Sequence, residues 1–176
     1  MHPRSAMAVR TSALPAGAVL EPAARAGAYT DCYRVDLPVA VALPRFVEAF
    51  YTSRLFRLEG WLIERLLRRS ASVADARRLA SGASDRFAAW SVRHRDERQI
   101  LLAAGATRSW LMVGTRGDAA GSTLYFGSAV MPRRVAADGS VRMGALFTAL
   151  LGFHKLYSRL LLTAACRRLA ALTDAP

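Results

Sequence analysis

Lysine is nearly absent from this sequence. Lys155 is the only one, so 24 of the 25 basic residues are arginine. Cysteine is scarce as well. Cys32 and Cys166 have no C-x-x-C partner, which excludes a disulfide framework and a cysteine-based zinc site and leaves redox chemistry without a motif. They read as reduced thiols of a cytoplasmic protein. The three histidines, His2, His94 and His154, lie far apart. No local metal-ligand spacing exists, although a fold can gather distant residues; neither metal nor cofactor is expected. No G-x-S-x-G elbow is present, and the "FGS" at Phe126–Ser128 lies inside a strand pattern, where that turn cannot form. The glycines of "GTRGDAAGS" precede a strand rather than a helix, so they make a turn and not a phosphate cradle.

Two further absences restrict the partners. The formal net charge is +12 and the pI about 11.2, values compatible with nucleic acid or an anionic membrane surface. No run of five or more basic residues exists, however, and the arginines are scattered as singles and pairs. Arginine and alanine together are what a GC-rich bacterial genome yields without selection for binding. A solvated basic surface is therefore preferred, with nucleic acid or anionic lipid as an alternative. A long apolar run is missing too. The most apolar stretch spans 143–172, but it is uncharged only from Met143 to Phe153. A bilayer span needs about 20 apolar residues, and a mid-span charge costs about 2.5–3.5 kcal/mol. No transmembrane segment is expected.

What is present suits one folded domain. The chain has 176 residues, 53% hydrophobic and 22% charged. Residues 1–28 are rich in Ala, Pro and Arg without a clean period, and Pro15 and Gly17 break their apolar part. That argues against a signal peptide and for a disordered extension, with a single domain over 29–172. "YTDCYRVDL" alternates, placing Tyr29, Asp31, Tyr33, Val35 and Leu37 on one side of a strand. Residues 44–69 have helical spacing, starting at Pro44 and open to division at Thr52–Ser53 or Gly60. "SVADARRLASG" predicts a short helix with a Ser72–Asp75 capping box and a stop at Gly82. From Asp85 the period becomes two. Four strands are predicted, in "RFAAWSVR", "RQILLAA", "TRSWLMVGT" and "STLYFGSAVM". Short joints make them an antiparallel meander, and strands segregated from helices make the class α+β.

The last helix, about 45 Å long, is amphipathic. Thr148, Gly152, Lys155, Arg159, Thr163 and Cys166 share one side; Phe147, Leu150, Leu151, Leu161, Leu162, Ala165 and Leu169 share the other. His154 falls within the apolar side. A buried imidazole must be hydrogen-bonded or pay for desolvation. Two readings stand: a core histidine satisfied by a backbone carbonyl or Ser158, or a polar group that touches a ligand or acts as acid/base. Glu59 sits between Ile63 and Leu66 on its own wheel. Its readings are a salt bridge to an arginine, or a carboxyl whose apolar setting makes it a usable acid.

The segments "ASDRFAAW", "ATRSWLMVGTRGDAAGSTLYFGSAVMP" and "GFHKLYSRLLL" resemble uncharacterised bacterial proteins of the START-like, SRPBCC superfamily. That superfamily includes lipid-transfer proteins, aromatase/cyclases and pathogenesis-related proteins. The likeness spans about residues 29–170. It implies a helix-grip fold, an antiparallel curved sheet with two short helices and a long C-terminal helix packed on it. Such folds usually have six or seven strands, against five counted here; "PRRVAADGS" is where a further strand could lie. The resemblance also implies a pocket between sheet and last helix, holding a hydrophobic small molecule such as a lipid or polyketide. Its facing residues would be His154 with Trp90, Trp110, Met112, Tyr125 and Phe147, the two tryptophans having core packing as their ordinary alternative. A cyclase or dehydratase using His154, with Glu59, is the enzymatic alternative.

Overall fold

The computed structural model describes residues 8–56, 72–116, 121–131 and 145–173, the last by backbone alone at 145–153 and 172–173. Alternation in the sequence becomes one open sheet. Its strands are β1 (Arg10–Thr11), β2 (Tyr29–Leu37), β3 (Arg86–Phe87), β4 (Trp90–Arg95), β5 (Gln99–Ala104), β6 (Thr107–Thr115) and β7 (Ser122–Val130). They lie in the order β1-β2-β7-β6-β5-β4-β3, and every pairing is antiparallel. The helices are α1 (Glu21–Arg25), α2 (Leu43–Tyr51), α3 (Val73–Ala80) and α4 (Ala145–Thr173). The class is α+β, as expected. No described helix is long and apolar enough to cross a membrane.

Local chemistry explains most boundaries. Pro44 stands in the first turn of α2, where its missing N–H costs nothing. The helix ends at Thr52, whose hydroxyl donates back to the Glu48 carbonyl at 2.7 Å. Ser53 follows, its Oγ accepting from the Phe56 amide. The division expected at Thr52–Ser53 is therefore present, while the remainder of the predicted helix, Glu59 included, lies outside the described residues. At α3, Ser72 Oγ accepts from the Asp75 amide and the Asp75 carboxylate accepts from the Ser72 amide. The Ser72 hydroxyl, which donates to Asp75 Oδ2 at 2.7 Å, and then the Ser72 amide hold the Asp75 carboxyl below its usual value. Gly82 stops the helix at φ +79°.

The sheet has two more strands than the sequence showed. "RFAAWSVR" is not one strand but two. Phe87 pairs with Trp90 across a two-residue turn at Ala88–Ala89, and Ala88 takes φ +50°. No Gly, Asn or Asp marks that turn, so the period of two runs through it unbroken. The other extra strand is β1, within the segment read as a disordered extension. The expected alternative, 132–140, lies outside the described residues.

Residues 8–28 correct that reading. They form a strap across the outer face of the sheet. Ala18 and Leu20 are buried against Cys32, Trp110, Met112 and Ala129. Gln99, itself 5% exposed, clamps the strap: its Nε2 donates to the Gly17 carbonyl, and its Oε1 accepts from the Val19 amide and the Trp110 indole N–H. The strap has no period because its contacts come from single residues.

The inner face carries the larger core. Phe50 sits at the centre of an aromatic cluster, with ring centroids 4.8 Å from Phe126, 5.2 Å from Tyr51, and 6.1–6.2 Å from Phe56 and Phe46. Tyr51 continues it to Phe87 at 5.0 Å. Thus α2 covers the middle of the sheet. The long helix α4 packs chiefly on α2, with further contacts to β2 and β7. Its buried stripe is Ser158, Leu161, Leu162, Ala165, Cys166 and Leu169. Cys166, placed on the polar side by the wheel, is buried in the core cluster that the α2 side chains also join. Leu156 and Leu160 are instead 57% and 46% exposed.

Candidate functional site

A row of polar side chains crosses the apolar inner face near α4. Asp31 of β2 pairs with Ser128 of β7, and Ser128 pairs with Ser109 of β6. Strand alternation turns all three toward the helices. The Ser109 hydroxyl lies 3.2 Å from the buried Tyr51 hydroxyl. Asp31 Oδ1 accepts from both the Ser128 amide, at 3.1 Å, and the Ser128 hydroxyl, at 2.7 Å. His154 comes down from α4, its Nε2 2.8 Å from Ser128 Oγ and 3.4 Å from Asp31 Oδ2. The Tyr33 hydroxyl donates to Asp31 Oδ2 at 3.4 Å. Tyr29 meets the imidazole edge-on at 6.1 Å. The Asp31 side chain is 6% exposed, so its charge is held by these donors rather than by water.

His154 is therefore a satisfied, partly buried histidine, 28% exposed, but its partners are Ser128 and Asp31. Ser158, expected as a partner alongside a backbone carbonyl, is buried with no hydrogen-bond partner for its Oγ among the described residues.

Serine, histidine and aspartate together invite comparison with a nucleophilic triad. The geometry differs where it matters. A triad needs the serine on one imidazole nitrogen and the carboxylate on the other. Here both face Nε2, and the Ser128 proton points at Asp31. Ser128 is also buried in the middle of a strand. The cluster orders the sheet–helix junction and leaves Ser128 without an activating base.

Beside it opens a cleft of about 500 Å³. Its walls are the strap at 11–14 with Ala24, the first half of β2, and Lys155 and Arg159 of α4. Leu14, Ala13, Ala24 and the rings of Tyr29 and Tyr33 supply apolar surface; Asp31 supplies the one carboxylate. Burial, then the neighbouring Asp31 charge, pushes the Tyr29 hydroxyl up to about 12. The same causes, in the same order, push Tyr33 well above the usual phenol value against the opposing pull of Arg159. Both phenols stay protonated at neutral pH.

The expected pocket set divides between the two faces of the sheet. Trp110, Met112 and Tyr125 point outward into the core beneath the strap. Trp110 lies against Gly127, its cross-strand partner, where an added Cβ would come within 2.9 Å of the indole. Trp90 is on the inner face, but at the β3–β4 end, packed on the aromatic core. His154 alone of the set reaches the polar row. Phe147 has no described side chain, and Glu59 lies outside the described residues. Among the described residues, α2 and its aromatics lie on the middle of the sheet, and the cleft opens at the β2 edge. Asp31 was missed although the sequence marks it: it is the one acid among Tyr29, Tyr33, Val35 and Leu37 on an inward-facing side. Ser128 had no such mark.

Both cysteines are buried, and burial pushes each thiol up to about 12, with the Asp31 charge adding to the effect at Cys32. On the order of one thiol in 10,000 is then ionised at pH 8. Iodoacetamide at that pH should leave the folded protein unlabelled for hours, and guanidinium should allow two adducts by intact mass. Rapid labelling of either cysteine in the folded protein would contradict this burial.

Comparison with protein-family models, with curated proteins and with solved structures finds no match.

Proposed function

We propose that this protein is a binding module, a helix-grip-like domain of the START-like type that holds an apolar or aromatic small molecule in the cleft between strap, β2 and α4. One observation carries this reading. The cleft has the volume of a small-molecule site, for which about 300–1,000 Å³ is usual, and an aromatic and aliphatic wall of Leu14, Ala13, Ala24, Tyr29 and Tyr33 beside its polar groups. The antiparallel sheet with a long C-terminal helix against it supports the fold-family part of the reading.

Native mass spectrometry of freshly purified protein tests it. The expected result is a reproducible small-molecule adduct that disappears in Leu14→Arg, a change at the cleft wall. An adduct-free mass, together with no thermal shift across a panel of apolar and aromatic compounds, would overturn it. An acid/base role for His154 has less support, since its Nε2 already faces Ser128 and Asp31. If that role holds, His154→Ala abolishes turnover of the extracted compound while the protein still binds it.

A further inference from the structure

The charges around the cleft say more than its volume does. Lys155 and Arg159 stand one turn apart on α4, both exposed, and both line the cleft. Like charges at that spacing repel each other. Elsewhere arginines find partners: Arg77 pairs with Glu48, Arg95 with Asp85 and Arg25 with Glu21. Lys155 and Arg159 make no ion pair among the described residues.

The carboxylate nearest to hand does not serve them. Asp31 spends Oδ1 on the amide and hydroxyl of Ser128, and Oδ2 faces Tyr33 and His154. The lining holds two positive charges, Lys155 and Arg159, and one negative, Asp31, a net +1. The negative charge is buried and hydrogen-bonded, whereas both positive residues are exposed.

We infer that the cleft selects a ligand with an acidic head, an apolar or aromatic carboxylate, whose body lies against Leu14, Tyr29 and Tyr33 and whose carboxylate meets Lys155 and Arg159. The inference rests on the binding reading above. The guanidinium fork suits a carboxylate in two-point contact, and the ammonium adds a point charge. A cationic ligand has one attraction here, the tyrosine rings beside Asp31. Two exposed cations in the lining and an already engaged carboxylate oppose it.

Three ligands sharing one naphthalene body decide the matter: naphthylacetate, naphthylethanol and naphthylethylamine, titrated into the full chain by calorimetry at low salt. The acid is expected to bind about tenfold more tightly than the alcohol, which is what two partly exposed charge contacts supply. The amine is expected to bind most weakly. The double variant Lys155→Met, Arg159→Met should bring the acid to the alcohol's affinity and leave the alcohol unchanged. The acid's advantage should shrink at high salt, because exposed charges are screened. Equal binding of acid and alcohol to the wild type overturns the head-group inference and leaves the cleft reading standing. Tightest binding of the amine overturns it as well, making Asp31 the group that decides. If none of the three binds, both readings fall.

Discussion

Replacing Phe50 with alanine should lower the unfolding free energy by about 3–5 kcal/mol. The ring is 1% exposed and touches four other aromatics, from both α2 and the sheet. Removing it takes away transfer energy and leaves a cavity between layers that cannot close, because Phe126 is held by its strand and Phe46 by its helix. Edge-to-face and tilted ring contacts are lost as well. For a chain of this length, about 2–4 °C of melting temperature accompany each kcal/mol, so the midpoint should fall by roughly 6–20 °C. Urea unfolding should show a lower midpoint with unchanged slope. A loss below about 1 kcal/mol would mean that the cluster is not closely packed.

Trp110→Ala should cost a similar amount, about 3–5 kcal/mol, with a different signature. The indole is fully buried and lies over Gly127, with Leu20 of the strap on the same spot. Its N–H donates to Gln99, the residue that holds Gly17 and Val19. Losing the indole removes both the surface under the strap and one anchor of its clamp. The strap should then open while the main sheet persists. Limited trypsin digestion should cut after Arg10 or Arg25 in the variant and leave those bonds intact in the wild type. A variant that loses stability while its strap resists trypsin would show that Gln99 and Leu20 hold the segment unaided.

The two substitutions probe cores that the sequence describes unequally. The inner core was legible because Phe46, Val47, Phe50 and Tyr51 recur at helical spacing and the strands alternate. Sheet, helix order, capping box and the break at Thr52–Ser53 are all local, and each needs only neighbours within a few residues. The outer core was not legible. Alternation reports that Trp110 and Met112 share a side, opposite Leu111 and Val113, but it does not report which side faces α4. Trp110 takes its core-packing alternative, in the cluster beneath the strap and on the face opposite His154. Nothing in "LPAGAVLEPAARAGA" has a period, because the strap is held by contacts of single residues such as Ala18, Leu20 and the Gly17 and Val19 backbone.

The site follows the same division. The sequence by itself determined an α+β chain, one side of β2 shared by Asp31 with Tyr29, Tyr33, Val35 and Leu37, and a cationic pair one turn apart on the last helix. These are properties of spacing along the chain. The tertiary structure alone decided that Asp31 meets Ser128, 97 residues away, and that His154 reaches the same pair. It also decided that α2 covers the middle of the sheet and that the strap supplies a wall of the cleft at the β2 edge. Strand register and helix docking set those contacts, and both depend on how volumes fill across the layers, a quantity that no local pattern carries.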